Sequence, residues 1–223
     1  MTCSVGICLL VHSETGSGKT AAFSLPILNN LFKDPRGIFA LVIVPTREIA
    51  IQISEAIEFY GSSNTVRIAT LVGGMDYNTQ KKELENAPHI VVGTPGRLAE
   101  QLQKSEKGRK YLRNLEYLVL DEADKLLDES LFFFIKQILE LLPSKPIQKI
   151  FSTATVELSD VDRLQELTEK KIVKLSTHRA IEKAKSVSLK YLLMPDHVKD
   201  CYFTHLLRVN EDRDIIVFIN SCE

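Results

Sequence analysis

The chain has 223 residues, of which 44% are hydrophobic and 26% charged, with a net charge of −1 at pH 7. That length exceeds a typical single domain and falls short of two complete α/β domains, and the balanced charge excludes a protein held on nucleic acid by an overall basic field. Four separated cysteines (Cys3, Cys8, Cys201, Cys222) show neither metal-type nor CxxC spacing, and the N-terminal apolar run is too short for a membrane span and lacks a basic flank, so an intracellular protein with no membrane partner is expected.

In chain order, apolar and β-branched runs predict strands at Ile7–Val11, Phe39–Val44, Ile68–Val72, His89–Val92, Tyr117–Leu120, Lys149–Ser152, Ile172–Leu175, Ser188–Leu193 and Ile215–Ile219. Helical periodicity predicts helices at Lys19–Phe32, Arg47–Tyr60, Asp76–Asn86, Gly96–Gln103, Leu131–Leu142, Leu158–Glu169 and Asp196–Val209, with a kink at Pro26. This alternation implies an α/β fold, a parallel sheet covered by helices on both faces. Residues 170–190 turn basic and lose large apolar side chains, so 179–187 is read as a linker. The expected division is then 1–178 for the first domain and 188–223 for the truncated start of a second.

Between the first strand and first helix stands Ser13-Glu14-Thr15-Gly16-Ser17-Gly18-Lys19-Thr20. Glycines in such a turn let successive N–H groups face inward, and the helix N-terminus adds positive potential, which together make a phosphate-binding loop. Lys19 then reaches the β- and γ-phosphates, and the Thr20 hydroxyl is a candidate Mg²⁺ ligand. The general pattern has glycine where Ser13 stands, a change of one hydroxymethyl group. ATP and Mg²⁺ are the expected ligands.

Polar, glycine-bearing or charged groups also follow the other strands, at the edge where open α/β sheets bind ligands. They are Pro45-Thr46-Arg47-Glu48, Gly73-Gly74, Thr94-Pro95-Gly96-Arg97, Asp121-Glu122-Ala123-Asp124 and Thr153-Ala154-Thr155. Asp121 at a strand end can hold Mg²⁺ opposite Thr20, and Glu122 can deprotonate the water that attacks the γ-phosphorus.

In order and spacing these segments resemble the motifs of DEAD-box ATP-dependent RNA helicases, over nearly the whole chain. The resemblance implies a RecA-like P-loop domain that binds ATP and RNA, followed by the start of a second. It implies Lys19, Asp121 and Glu122 as catalytic residues, and Asp124 linked to Thr153, Ala154 and Thr155 as the coupling between nucleotide and RNA sides. Pro45, Thr46, Arg47, Gly73, Gly74, Thr94, Pro95, Gly96 and Arg97 would line the RNA backbone, which glycine N–H groups, hydroxyls, arginines and helix starts can hold without reading sequence. The alternative role for Arg47 and Arg97 is a surface salt bridge with a nearby Glu.

The family usually has Ala at Ser13 and Ser at Thr153. Its adenine-clamping glutamine motif has no counterpart in Met1–His12, and the second-domain arginines that complete its ATP site would follow Glu223. Weak ATP and RNA binding, little hydrolysis and no unwinding by these 223 residues are therefore expected. Residues 189–207 look most like the ribosome-biogenesis branch, implying rRNA processing, ribosome-assembly partners, and the nucleus and nucleolus. The competing function is a catalytically inactive ATP- and RNA-binding module or partner-binding fragment. A metabolic P-loop kinase or GTPase lacks support, since no acceptor pocket or base-reading motif is found.

Overall fold

A computed structural model describes residues 8–14, 16–61, 66–104, 108–155, 158–168, 171–176 and 190–218. Two compact units divide the chain, Met1–His178 and Arg179–Glu223.

In the first unit, seven strands form one sheet in which every pairing is parallel: β1 (Cys8–His12), β2 (Ala40–Ile43), β3 (Ile68–Leu71), β4 (Ile90–Gly93), β5 (Tyr117–Leu120), β6 (Gln148–Thr153) and β7 (Ile172–Ser176). Their order is β3-β4-β2-β5-β6-β1-β7. Period-two alternation sends Ala40, Val42 and Val44 into the core layer on one face and Leu41 and Ile43 into the layer on the other. Both faces are covered, which is why β2, β4 and β5 read as unbroken apolar runs.

One layer is closed by α1 (Lys19–Leu31), through Phe23, Ile27, Leu28 and Leu31, and by α2 (Arg47–Tyr60), through Ala50, Ile53 and Ile57. Three- and four-residue spacing places each set on one helix stripe. The opposite layer is packed by α4 (Pro95–Gln103), α5 (Gly108–Leu112), α6 (Ala123–Leu126), α7 (Glu129–Leu139) and α8 (Leu158–Glu166). Here α3 (Tyr77–Glu85) starts at Asp76, whose carboxylate accepts from the Thr79 amide at 2.7 Å. Helix α1 continues through Pro26, which removes one intrahelical donor.

All seven strands expected up to residue 176 are present, within two residues at each end. The two short helices α5 and α6, of five and four residues, carry too little periodicity to be seen in sequence. Towards the C-terminus the expectation needs correction. Residues 190–195 and 214–218 form no strand, so the described parts of the predicted strands Ser188–Leu193 and Ile215–Ile219 are not strands. A strand exists only with a partner ladder, and Tyr191, Leu193, Ile216 and Phe218 are exposed instead. The predicted helix is there as one 3₁₀ turn (Asp196–Val198) running into α9 (Lys199–Val209). The linker 179–187, with Thr15, Cys3, Cys222 and His178, lies outside the described residues.

Candidate functional site

Strand order sorts the candidate residues along the carboxyl edge of the sheet. Segments following β3, β4 and β2 carry Gly73-Gly74, Thr94–Arg97 and Pro45–Arg47. Segments at the ends of β5, β6 and β1 carry Asp121–Asp124, Thr153–Thr155 and Ser13–Thr20. One half of the edge thus holds the residues expected to bind nucleic acid and the other those expected to bind nucleotide.

After β1 the chain turns through Gly16 (φ 79°) and Gly18 (φ 87°), both left-handed. Among the described residues, adjoining ones apart, no atom lies within 4 Å of where a Cβ would stand at either, so glycine is needed there for backbone conformation and not for packing. Gly18 caps α1 without a side-chain hydrogen bond, which leaves the first-turn amides without a side-chain acceptor. The Lys19 ammonium donates to the carbonyls of Ser13 at 2.5 Å and Glu14 at 2.8 Å, folding the loop around a positive charge.

The base of this loop is fastened to β6. The Ser13 amide donates to the Thr153 carbonyl at 3.2 Å, and His12 Nε2 lies 3.1 Å from the Ala154 carbonyl. A carbonyl can only accept, so Nε2 carries the proton. Sequence reasoning passed over His12; its place at the end of β1 was the available signal.

Asp121 follows β5 in a register that sets Leu120 opposite Phe151, which brings the carboxylate beside Ser152. It is 6% exposed, and its Oδ1 has no hydrogen-bond partner among the described residues. Burial pushes its carboxyl above the ordinary range, while the Ser152 hydroxyl, the Glu122 amide and the Lys19 charge oppose the shift. A buried carboxylate with an orphaned oxygen, within reach of the Lys19 charge of the phosphate-type loop, fits a hydrated divalent cation.

Glu122 adopts a left-handed conformation (φ 50°, ψ 51°), strained for a non-glycine residue, and opens α6. Its carboxylate is paired with Lys125 at 2.7 Å. Two residues on, Asp124 Oδ2 accepts from Thr155 Oγ1 at 2.6 Å. Thr153 Oγ1 in turn accepts from the Thr155 amide at 3.2 Å and donates to the Thr155 carbonyl. Of the two links expected from Asp124, the one to Thr155 is present, whereas no direct Asp124–Thr153 bond is found among the described residues and Thr153 is bonded to Thr155 instead.

Across the other half of the edge runs an open groove lined by Pro45, Thr46, Arg47, Gly73, Thr94, Pro95, Gly96 and Arg97, with Glu48, Glu100, Leu131 and Phe134. Of the nine residues expected on the RNA path, only Gly74 is outside this lining. Two helix N-termini face the groove. Thr46 caps α2 by accepting from the Ile49 amide at 3.4 Å, and Thr94 caps α4 with no side-chain bond. Gly74 (φ 76°) lies beneath the Arg47 guanidinium, where a Cβ would collide with it.

Arg97 is engaged differently from the simple expectation. Its Nη1 donates to the Met75 carbonyl and to Gln80 Oε1, both at 3.1 Å, and its Nε lies 3.4 Å from Glu100. Gln80, 3% exposed, also donates to the Val72 carbonyl. The salt bridge considered as the alternative for Arg97 therefore exists, and the arginine braces α3 against α4 from within the groove wall. Gln80, Leu131 and Phe134 were missed in sequence because they sit inside helices, away from strand ends.

A DEAD/DEAH box helicase family model matches residues 3–164. The chain is 40% identical over 210 residues to mouse probable ATP-dependent RNA helicase DDX47, covering 94% of this chain and 45% of that protein. To ATP-dependent rRNA helicase RRP3 of Mycosarcoma maydis it is 41% identical over 209 residues, 94% of this chain and 36% of that one. It spans less than half the length of these curated relatives. Among solved structures, Mss116p bound to single-stranded RNA and AMP-PNP superimposes with a TM-score of 0.67 at 28% identity, over 78% of this chain and 37% of that one. A DEAD box protein from Methanococcus jannaschii gives 0.66 at 27% identity, over 91% and 53%. By the motifs along its sheet edge, its fold and these matches, the chain belongs to the DEAD/DEAH box helicase family.

Proposed function

We propose that this protein is an ATP-dependent RNA helicase that remodels RNA during rRNA processing and ribosome biogenesis, in the nucleus and nucleolus, with ribosome-assembly proteins as partners. The observation that carries the enzymatic part is the sorting of one sheet edge into a phosphate-binding half and an RNA-type groove, with the bond between Thr155 and Asp124 on the nucleotide side. The rRNA part rests on the similarity to a protein named an rRNA helicase.

Lys19 exchanges the Ser13 and Glu14 carbonyls for β- and γ-phosphate oxygens, and the first-turn amides of α1 donate to the same phosphates. Thr20 and Asp121 would hold Mg²⁺, which supplies charge neutralisation on the phosphates when bound. Glu122 leaves Lys125 and takes the proton of the attacking water, whose oxygen bonds to the γ-phosphorus as the bridging bond to ADP breaks. Thr46, Arg47, Gly73 and the α4 N-terminus grip RNA phosphates without reading bases.

The test is ATP hydrolysis with and without single-stranded RNA, run on a form of the protein that carries a complete second domain beside these 223 residues, for which little hydrolysis is expected. Stimulation by RNA is expected, lost in Glu122→Gln. A rate indifferent to RNA at concentrations that saturate the groove would overturn the proposal.

A further inference from the structure

Strand β3 stands last in the sheet order, so one side of it has no partner strand among the described residues. Its register sets Ala69 opposite Val91, and the carbonyls of Arg67 and Leu71 accept from the Ile90 and Thr94 amides at 3.2 and 3.0 Å. Parallel ladders bond through alternate residues, so Ile68 and Thr70 turn their N–H and C=O groups away from β4. Edge strands are normally blunted by lysine, proline or a bulge, and Ile68-Ala69-Thr70-Leu71 carries none of these.

A cleft of about 450 Å³ opens along this edge. Ile68 and Thr70, both half-buried, line it from β3. Helix α2 lines it with Ile51, Ser54, Glu55 and Glu58, whose spacing of three and four residues makes one stripe. Helix α3 contributes Thr79, Gln80 and Glu83, again one stripe. The floor is tied down. Ser54 Oγ donates to the Ala50 carbonyl at 2.8 Å, so in its 2.8 Å contact with Thr70 Oγ1 the threonine is the donor.

Charge decides what the cleft can take. Its lining holds no lysine, arginine or histidine, and Glu55, Glu58 and Glu83 form no ion pair among the described residues. A fourth acid, Asp76, is already occupied by the Thr79 amide and hydroxyl. Partial burial pushes the Glu83 carboxyl above its ordinary value, the condition that a neighbouring cation relieves. Such a cleft repels phosphate and attracts cations, the reverse of the groove at the carboxyl edge. A small amine would leave the main-chain groups of Ile68 and Thr70 unused, whereas an extended peptide meets both features. Its backbone pairs with β3 while alternate side chains, set by the period of two, enter the cleft.

We propose that the β3 edge docks an extended, lysine- or arginine-rich segment of a partner protein, which adds a strand to the sheet and places its cations among Glu55, Glu58 and Glu83. The cleft shares no lining residue with the groove read as an RNA site, so the docking stands or falls without that reading and gives its protein partners a surface.

The experiment titrates the 223-residue chain with a short fluorescent peptide that alternates lysine and valine. The same peptide with glutamate for lysine, and spermine as a competitor, run beside it. Amide hydrogen exchange is followed with the peptide bound. The lysine peptide is expected to bind and the glutamate peptide not to. Exchange at Ile68 and Thr70 should slow at least about 10-fold, while Ala69, already in the ladder, changes little. Spermine, with charge and no peptide backbone, should compete weakly and protect neither amide. Glu55→Lys, Glu58→Lys and Glu83→Lys, all at exposed helix positions, should each weaken binding by about 3- to 10-fold as an attraction becomes a repulsion.

Failure of the lysine peptide to bind, or equal binding of the glutamate peptide, would overturn the docking site. Binding without protection of Ile68 and Thr70 would overturn the strand addition, and that readout on the parent does not depend on any variant folding. Unchanged affinity in all three variants would overturn the placement of the cations. RNA-stimulated hydrolysis is untouched by each of these outcomes.

Discussion

Thr155 donates its hydroxyl to Asp124 across 2.6 Å, joining the turn after β6 to the helix that opens after β5. The other carboxylate oxygen of Asp124 is buried without a hydrogen bond, so this hydroxyl is the only side-chain partner found for that carboxylate among the described residues. Thr155→Val keeps the shape and removes the donor. The expected result is a loss of about 0.5–1.5 kcal/mol in stability, the net worth of a hydrogen bond that solvent can partly replace. RNA stimulation of ATP hydrolysis should fall with it, while nucleotide affinity changes little. Urea denaturation and paired hydrolysis assays read the two effects; full RNA stimulation in the variant would detach this bond from coupling.

Lys19 and Glu122 are expected to fail in different ways. Lys19→Ala removes the charge now held by two loop carbonyls, so nucleotide binding itself should be lost. Glu122→Gln preserves side-chain size and the left-handed turn, so binding should persist while hydrolysis stops. Fluorescent-nucleotide titration and phosphate release separate the two. Tight binding by Lys19→Ala would remove that residue from phosphate recognition.

Arg47 and Arg97 look alike in sequence and differ in the fold. Arg97 is tied to Met75, Gln80 and Glu100, and Gln80 is buried beneath it. Arg97→Ala should therefore cost about 1–3 kcal/mol in stability through the polar groups it leaves unpaired, as well as weakening RNA binding. Arg47→Ala should leave stability nearly unchanged, weaken RNA binding for all sequences alike, and lower the salt slope by about one. Thermal melts beside salt-dependent RNA titrations check this. Equal melting shifts in the two variants would refute the distinction.

That contrast marks how far the sequence alone could reach. Strands such as Ala40–Ile43 and Tyr117–Leu120 are legible because burial on both faces writes itself as an unbroken apolar run. The strand-end motifs are legible because loop glycines, Lys19 and the acidic pair have chemistry that needs that spacing. Partnerships across the fold are not. Arg97 with Gln80, His12 with Ala154 and Phe134 with Gly96 join residues whose closeness depends on helix packing and strand order, which no local pattern encodes. The C-terminal strands failed for the converse reason: Ile215–Phe218 has a strand's composition, but composition provides no partner ladder.

His89 provides the last test, one of pH. It stands at the entry to β4, 5% exposed, with its Nδ1 accepting the Arg67 amide at 3.2 Å. Burial, and then the positive charge of Arg67, push its imidazole below the ordinary value of 6.5. The unfolded chain therefore takes up the proton first as pH falls, and folding loses stability from about pH 6.5 down to the folded value, where the loss levels off. Above that window the neutral ring contributes its full share. Since carboxylates also titrate in acid, the measurement is a difference: parent against His89→Asn, whose side-chain carbonyl can still accept from Arg67. Between pH 7 and pH 5 the parent's midpoint in urea should fall more steeply than that of His89→Asn. Parallel curves through that window would show that His89 takes up its proton as readily in the folded chain as in the unfolded one.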